Sequence, residues 1–331
     1  MTHTPILETY EIKSESGISV ELLNLGARIS SIKLPTLNGH RNVVLSYPNL
    51  NAYQTDPYHL GAICGRYAGR IGNGRFALKG RSFSLDRDAA AGPHVLHGGP
   101  IGLSKKIWKR IKENRINKAD LKVFSPDGDQ GFPGNLLAKV KYELIDPDSL
   151  LIDFSATTDS PSIINLVSHV YFNLDEKAID ISKHSVQINA QKYTVQDKTL
   201  LPTGEIRPVE GTPFDLRKSS ILGRKLEELR NLTGDHGFDQ NYVLNKEEDG
   251  LTLAATLTSA SSDLTMMVYT DQPGLQLYTG QHLAKPFLPL AGLCLETQAF
   301  PNAPNQPNFP SAVLLPEGTY SKRTLLKFKW N

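Results

Sequence analysis

Val140-Lys141-Tyr142-Glu143-Leu144, followed closely by Leu150-Leu151-Ile152-Asp153-Phe154, carries apolar side chains at roughly every second position. A period of two puts those side chains on one face of an extended chain, so each run predicts a half-buried strand. The pattern spreads in both directions. It returns at Ile18–Leu22 and Phe76–Lys79 upstream, and at Leu251–Leu257, Leu264–Tyr269, Leu275–Tyr278 and Thr324–Trp330 downstream. Asn38-Gly39, Asn73-Gly74, Asp127-Gly128 and Asp249-Gly250 punctuate the runs with turn chemistry. Many strands at short spacing predict an all-β fold, a sandwich or barrel, rather than alternating βαβ units. One helix is expected: Leu222, Leu226 and Leu229 fall on one face of LGRKLEELRNL, with charges on the other. FPNAPNQPNFP (Phe300–Pro310) has too much proline for a helix or central strand and reads as an ordered loop.

The chain has 331 residues, of which 39% are hydrophobic, enough for a large core. No internal repeat or linker-like stretch divides it, so residues 1–331 are read as one domain. Lys and Arg number 36 against 34 Asp and Glu, a formal charge of +2. That balance offers no electrostatic reason for a nucleic-acid or anionic-membrane partner. Two cysteines, Cys64 and Cys294, exclude a disulfide framework and a cysteine-rich zinc module. With no basic, apolar leader and no long apolar run, a cytoplasmic location is expected.

Several chemistries lack their motifs. There is no GxxxxGK[ST] loop, no GxGxxG after a strand, no HExxH and no GxSxG elbow. His94 and His97, three apart in HVLH, have no third metal ligand nearby in sequence. Acid–base chemistry or simple binding remains.

Four segments are too specific for ordinary strand and turn. GAICGRYAGRIGNGRF (Gly61–Phe76) spaces Arg66 and Arg70 four apart. HVLHGG (His94–Gly99) sets a histidine before two glycines, where backbone can approach a ligand. INLVSHVYFNL (Ile164–Leu174) interleaves His169, Tyr171 and Asn173 at period two, predicting one shared strand face. LCLETQAFPNAPN (Leu293–Asn305) plants Glu296 in an apolar strand, two residues before Gln298. A carboxylate there is expensive to bury without partners, and such sites raise a carboxyl pKa toward that of a general base.

Taken in this order, the segments resemble the aldose 1-epimerases, the galactose mutarotases. That family shows a GRxxNRI-type motif, LHGG, NLTNHxYFNL, GxDHN and LETQxxPDAPN. The counterparts here are GRYAGRI, LHGG (Leu96–Gly99), NLVSHVYFNL (Asn165–Leu174), GFDQN (Gly237–Asn241) and LETQAFPNAPN, with FPSAVLLPEGTY (Phe309–Tyr320) behind. The resemblance runs from about Asn24 to the C-terminus.

The resemblance implies a large antiparallel β-sandwich with few short helices, acting on a small aldose without metal or cofactor, as a monomer or homodimer. It implies interconversion of the α and β anomers of free galactose or glucose. Glu296 takes the role of base and His169 of acid. Arg70, His97, Asp239, Gln276 and Tyr171 bind the sugar. The chain departs from the family pattern at Gly69 (usually Asn), Ser168 (Asn), Gln240 (His) and Asn302 (Asp), positions expected to border the pocket and bear on sugar preference. Three rivals stand beside this reading. One is a hexose 6-phosphate epimerase, for which Arg66, Arg70 and Arg217 are the available cations. The others are a non-catalytic carbohydrate-binding sandwich and a glycoside hydrolase or lyase.

Overall fold

The computed structural model describes residues 6–36, 39–87, 92–112, 115–145, 147–177, 179–246, 250–261 and 263–330. Asn38 and Asp249, and with them two of the expected turns, lie outside the described residues.

The two alternating runs of the sequence belong to the strands Leu136–Ile145 and Ser149–Thr158, paired antiparallel with Val140 opposite Phe154 and Tyr142 opposite Ile152. Leu136, Ala138, Val140, Tyr142 and Leu144 are buried, as are Leu150, Ile152, Phe154 and Ala156. Each large apolar side chain so buried contributes about 1.5–3 kcal/mol, which fixes which face turns inward. These strands sit in a nine-stranded antiparallel sheet, where Ser149–Thr158 pairs with the C-terminal strand Tyr320–Trp330 and that strand with Leu264–Thr270. Early and late parts of the chain thus share one sheet.

A four-stranded sheet (Thr9–Lys13, Ser19–Leu23, Arg28–Thr36, Gly39–Asn42) and a five-stranded sheet complete the main architecture. The five-stranded sheet runs in the order Pro202–Pro208, Ala190–Gln196, Asp239–Leu244, Gly274–Tyr278, Cys294–Gln298. One apolar cluster joins all three, with Ile29 and Ile32 from the first, Val140 and Ile152 from the nine-stranded sheet, and Leu275, Leu277 and Leu295 from the five-stranded sheet. The antiparallel sandwich expected from sequence is present.

The helix spans Leu222–Thr233 and buries Leu222, Leu226 and Leu229, the predicted stripe. Its first free N–H groups find carbonyls outside it: Leu222 donates to His184 O and Gly223 to Ser182 O, at 2.8 and 2.7 Å. Gly234, at φ 81°, closes the other end by donating to Arg230 O.

Candidate active site

The five-stranded sheet supplies the floor of a cleft of about 340 Å³. Its register aligns Asn241 with Gln276 and Gln276 with Glu296, while Asp239 faces Tyr278. Alternation carries Glu296 and Gln298 to the same side. All of these line the cleft. Unlike the other strands of this sheet, Cys294–Gln298 is buried at every position.

Arg70, His97, His169, Tyr171, Asp239, Gln276 and Glu296, the residues singled out from sequence, all line this one cleft. Gln276 Nε2 donates to Asp239 Oδ1 at 2.6 Å, and Arg70 Nη1 lies 3.6 Å from Asp239 Oδ2. Gln298 Nε2 donates to Gln276 Oε1 at 3.3 Å, extending the row. His169 Nε2 stands 3.7 Å from Glu296 Oε1, and the two residues are only 4% and 3% exposed. On its other side His169 Nδ1 meets Cys294 Sγ at 3.5 Å.

Loop geometry positions the remaining members. His169 N–H donates to Ala62 O while its carbonyl accepts from Gly61 N, both at 2.9 Å. Only Gly suits position 61, where φ is +71° and a Cβ would lie 2.0 Å from Ile29 O. The two glycines of HVLHGG have a similar purpose. A Cβ at Gly98 would meet Gly65 O at 2.0 Å, so the His97 loop packs against the GRYAGRI segment with no room for a side chain.

Sequence motifs divide once folded. Arg70 reaches the cleft, but Arg66 is buried in the protein, donating to the carbonyls of Ser125, Pro126, Pro133 and Gly134 and to Ser125 Oγ. His94 parts from His97: it accepts from Asn73 N and meets Thr199 Oγ1. The expected continuous strand through His169, Tyr171 and Asn173 is a two-residue strand, Val167–Ser168, followed by isolated bridges at Phe172 to Val44 and Leu293. His169 and Tyr171 still point into the cleft. Asn173 instead donates to Ala291 O.

Of the departures from the family pattern, only Gly69 lines the cleft. Gln240 follows Asp239 in a strand and must face the other way, where it donates to Thr194 O. Asn302, at φ 61°, accepts from Gly72 N and donates its own N–H to Arg70 O, so it braces the Arg70 loop from outside. Ser168 lies outside the lining too. The expectation that these three border the pocket is corrected.

His59, Tyr278, His282 and Asn241 also line the cleft; His59 and His282 carry no sequence signal of their own, while Asn241 closes the GFDQN motif and Tyr278 ends a predicted strand. The His59 ring lies 5.0 Å from that of His97, tilted by 57°, with His59 at φ 53° and its Nδ1 2.9 Å from Ser104 Oγ. Tyr278 lies 6.0 Å from Tyr171, giving the cleft an aromatic side.

Burial dominates the titration of the site. It pushes Glu296 well above the carboxylate range, with Asp239 adding to the rise and Arg70 opposing it. It lowers His169 to about 4 and His97 well below the imidazole range, the latter helped by His59 and His169. Desolvation thus disfavours both a charged Glu296 and a charged His169, so the pair holds one proton between the lowered pKa of His169 and the raised one of Glu296. A site holding one mobile proton between two groups can take a proton from one oxygen and give one to another.

The chain matches the family model described as Aldose 1-epimerase over residues 8–327. It is 35% identical over 327 residues to the aldose 1-epimerase of Escherichia coli K12, covering 96% of this chain and 94% of that one. It is 38% identical over 333 residues to the galactose mutarotase of Mus musculus, covering 97% and 94%. Among solved structures, an aldose epimerase homologue from C. elegans superposes with a TM-score of 0.91 at 27% identity, covering 98% of this chain and 99% of that one. Motif order, fold and full-length similarity agree, and the chain belongs to the aldose 1-epimerase family of isomerases.

Proposed function

We propose that the cleft interconverts the anomers of a free aldohexose, galactose or glucose, with Glu296 and His169 as the proton-transferring pair. The observation that carries this reading is their 3.7 Å approach inside a buried, sugar-sized cleft. With the pair's one proton transferred to His169, Glu296 as carboxylate takes the proton from O1. The O1 electrons form the C1 carbonyl, the C1–O5 bond breaks, and O5 receives a proton from His169. Rotation about C1–C2 turns the carbonyl over. On reclosure His169 takes the O5 proton, O5 attacks C1, and Glu296 returns a proton to O1. Each group contributes about 10²–10⁴ in rate. Arg70 and His97 lie where donors stabilise charge developing on the ring oxygen. Asp239, held by Gln276, is an acceptor for vicinal hydroxyls, and Tyr171 with Tyr278 offers ring faces to sugar C–H groups.

A neutral sugar suits the lining better than a phosphorylated one. Arg70 is the lone Lys or Arg among the described lining residues, and it already faces Asp239. Arg66 is committed to carbonyls, and Arg217 pairs with Asp215. The same reading takes residues 1–331 as one folding unit, since Arg70 and Glu296 come from opposite halves of the chain; separately expressed halves are expected not to bind sugar.

Polarimetry on freshly dissolved α-D-galactose and α-D-glucose tests the activity. The protein should speed the approach to an unchanged equilibrium rotation and release no phenol from aryl glycosides. Rates equal to buffer alone with both sugars defeat the proposal.

The pH profile follows from the pair. Below about pH 4 His169 gains a proton while Glu296 keeps its own, leaving no base. Above the raised value of Glu296 the pair holds no proton, leaving no acid. kcat/KM is therefore expected to hold between those two limits, with its acid limb near pH 4. A limb at the ordinary histidine value of about 6.5 contradicts this.

Sugar preference is tested at Gly69. Asn tolerates its φ of +76°, and the new Cβ would meet Pro301 Cβ at 3.1 Å, requiring a shift of a few tenths of an ångström. Gly69→Asn is expected to change the galactose-to-glucose ratio of kcat/KM by about 2- to 12-fold, the worth of one hydrogen bond. An unchanged ratio removes Gly69 from specificity.

A further inference from the structure

We propose that His97, His169 and Glu296 form a binding site for a divalent transition ion of the zinc type, and that an ion held there excludes the sugar. The sequence offered His97 only His94 as a companion, with no third ligand. The fold replaces that partner. Among the described residues, one potential ligand atom each from His97, His169 and Glu296 lies within 4.8 Å of the others, and all three residues are buried.

Two imidazoles and a carboxylate form a donor set typical of zinc sites that keep one position open. Bonds of about 2.0–2.1 Å in a tetrahedral site separate ligand atoms by about 3.4 Å. His169 Nε2 and Glu296 Oε1 are already 3.7 Å apart. The remaining separations, up to 4.8 Å, close by side-chain rotation. His169 also has an outer partner: Nδ1 faces Cys294 Sγ at 3.5 Å, which suits a proton on Nδ1 and leaves the Nε2 lone pair for a ligand bond. His97 is tied less firmly. Its Nδ1 accepts from the Gly69 N–H at 3.4 Å, a contact long enough to yield when the ring turns or exchanges tautomer.

The surrounding charge is compatible. Glu296 and Asp239 outnumber Arg70, and Arg70 is drawn 3.6 Å from Asp239, on that carboxylate's side. The open coordination position faces the cleft that sugar would occupy. Nitrogen donors select zinc, cobalt or nickel over magnesium and calcium, which require oxygen cages.

The test is titration of the purified, metal-stripped protein with Co²⁺, read by visible absorbance, with Zn²⁺ as displacer and Mg²⁺ as control. One site per chain is expected, displaced by Zn²⁺ and not by Mg²⁺. His97→Gln and Glu296→Gln should each weaken it by more than about 100-fold, beyond what loss of an outer partner causes. Unaltered far-UV circular dichroism establishes that the variants fold. Zn²⁺ should then inhibit mutarotation competitively with galactose. Absence of one-site binding in the wild type, or equal affinity in both variants (an ion on surface histidines only), overturns the site. Binding that leaves the sugar rate untouched overturns the exclusion. The absorbance arm needs no turnover and stands on geometry, while the competition arm rests on the mutarotase reading, so failure of either is separately visible.

Discussion

Glu296→Gln is expected to lower kcat for galactose mutarotation by about 10²–10⁴-fold while KM changes little. The amide keeps the volume and polarity of the carboxyl but cannot exchange a proton at O1. The fold should tolerate it, because Glu296 is buried and burial already disfavours its charge, so a neutral isostere removes a desolvation cost. The thermal midpoint is therefore expected to match or exceed that of the wild type. His169→Gln should be comparably slow. The double variant should be little slower than the worse single, since two groups passing one proton act as a unit. Polarimetric initial rates with matched circular dichroism decide the matter. Activity within tenfold of wild type in Glu296→Gln removes Glu296 from its assigned role.

Asp56→Ala is expected to destabilise the protein by about 3–5 kcal/mol, the cost of stranding a buried charge. Arg28 and Asp56 form an ion pair at 2.5 Å with side chains 1% and 0% exposed. Burial opposes the Asp56 charge, but Arg28 outweighs it through its own charge and hydrogen bond, helped by the N–H groups of Tyr58 and Leu60, and the carboxyl sits below its ordinary range. Removing it leaves the Arg28 guanidinium with neutral contacts, the carbonyls of Leu25, Leu60 and Ser104 and the ring of Tyr53. It also frees the Tyr58 and Leu60 N–H groups that Asp56 accepts at 3.0 and 2.8 Å. Those contacts hold Pro57, Tyr58 and His59 as a wall of the cleft. The surviving folded fraction should thus show a raised KM for sugar. Urea unfolding followed by tryptophan fluorescence measures the stability change, and a midpoint equal to wild type refutes it.

Periodicity in the sequence encodes the sheets, and motif order names the residues that share the cleft. Strands such as Leu136–Ile145 and Leu264–Thr270 are buried on one face only, and a period of two records that asymmetry directly. The helix was legible for the same reason at its own period. Glu296 stands out because a carboxylate in an apolar strand is costly, and the motif order adds the residues that meet it. Even the orientation of Gln240 was open to inference, since neighbours in a strand face opposite ways.

What depends on long-range approach is set by tertiary packing alone. Arg66 and Arg70 are equivalent as letters, yet one satisfies buried carbonyls and the other faces the cleft, because loops from Ser125 to Gly134 surround the first. His97 left its sequence neighbour His94 for His169 and Glu296 for the same kind of reason. His59 entered the site through a left-handed backbone held by the Arg28–Asp56 pair, a conformation that no local pattern encodes. Periodicity reports which side of an element is buried, but the identity of the atoms across the gap is set by packing between segments far apart in the chain.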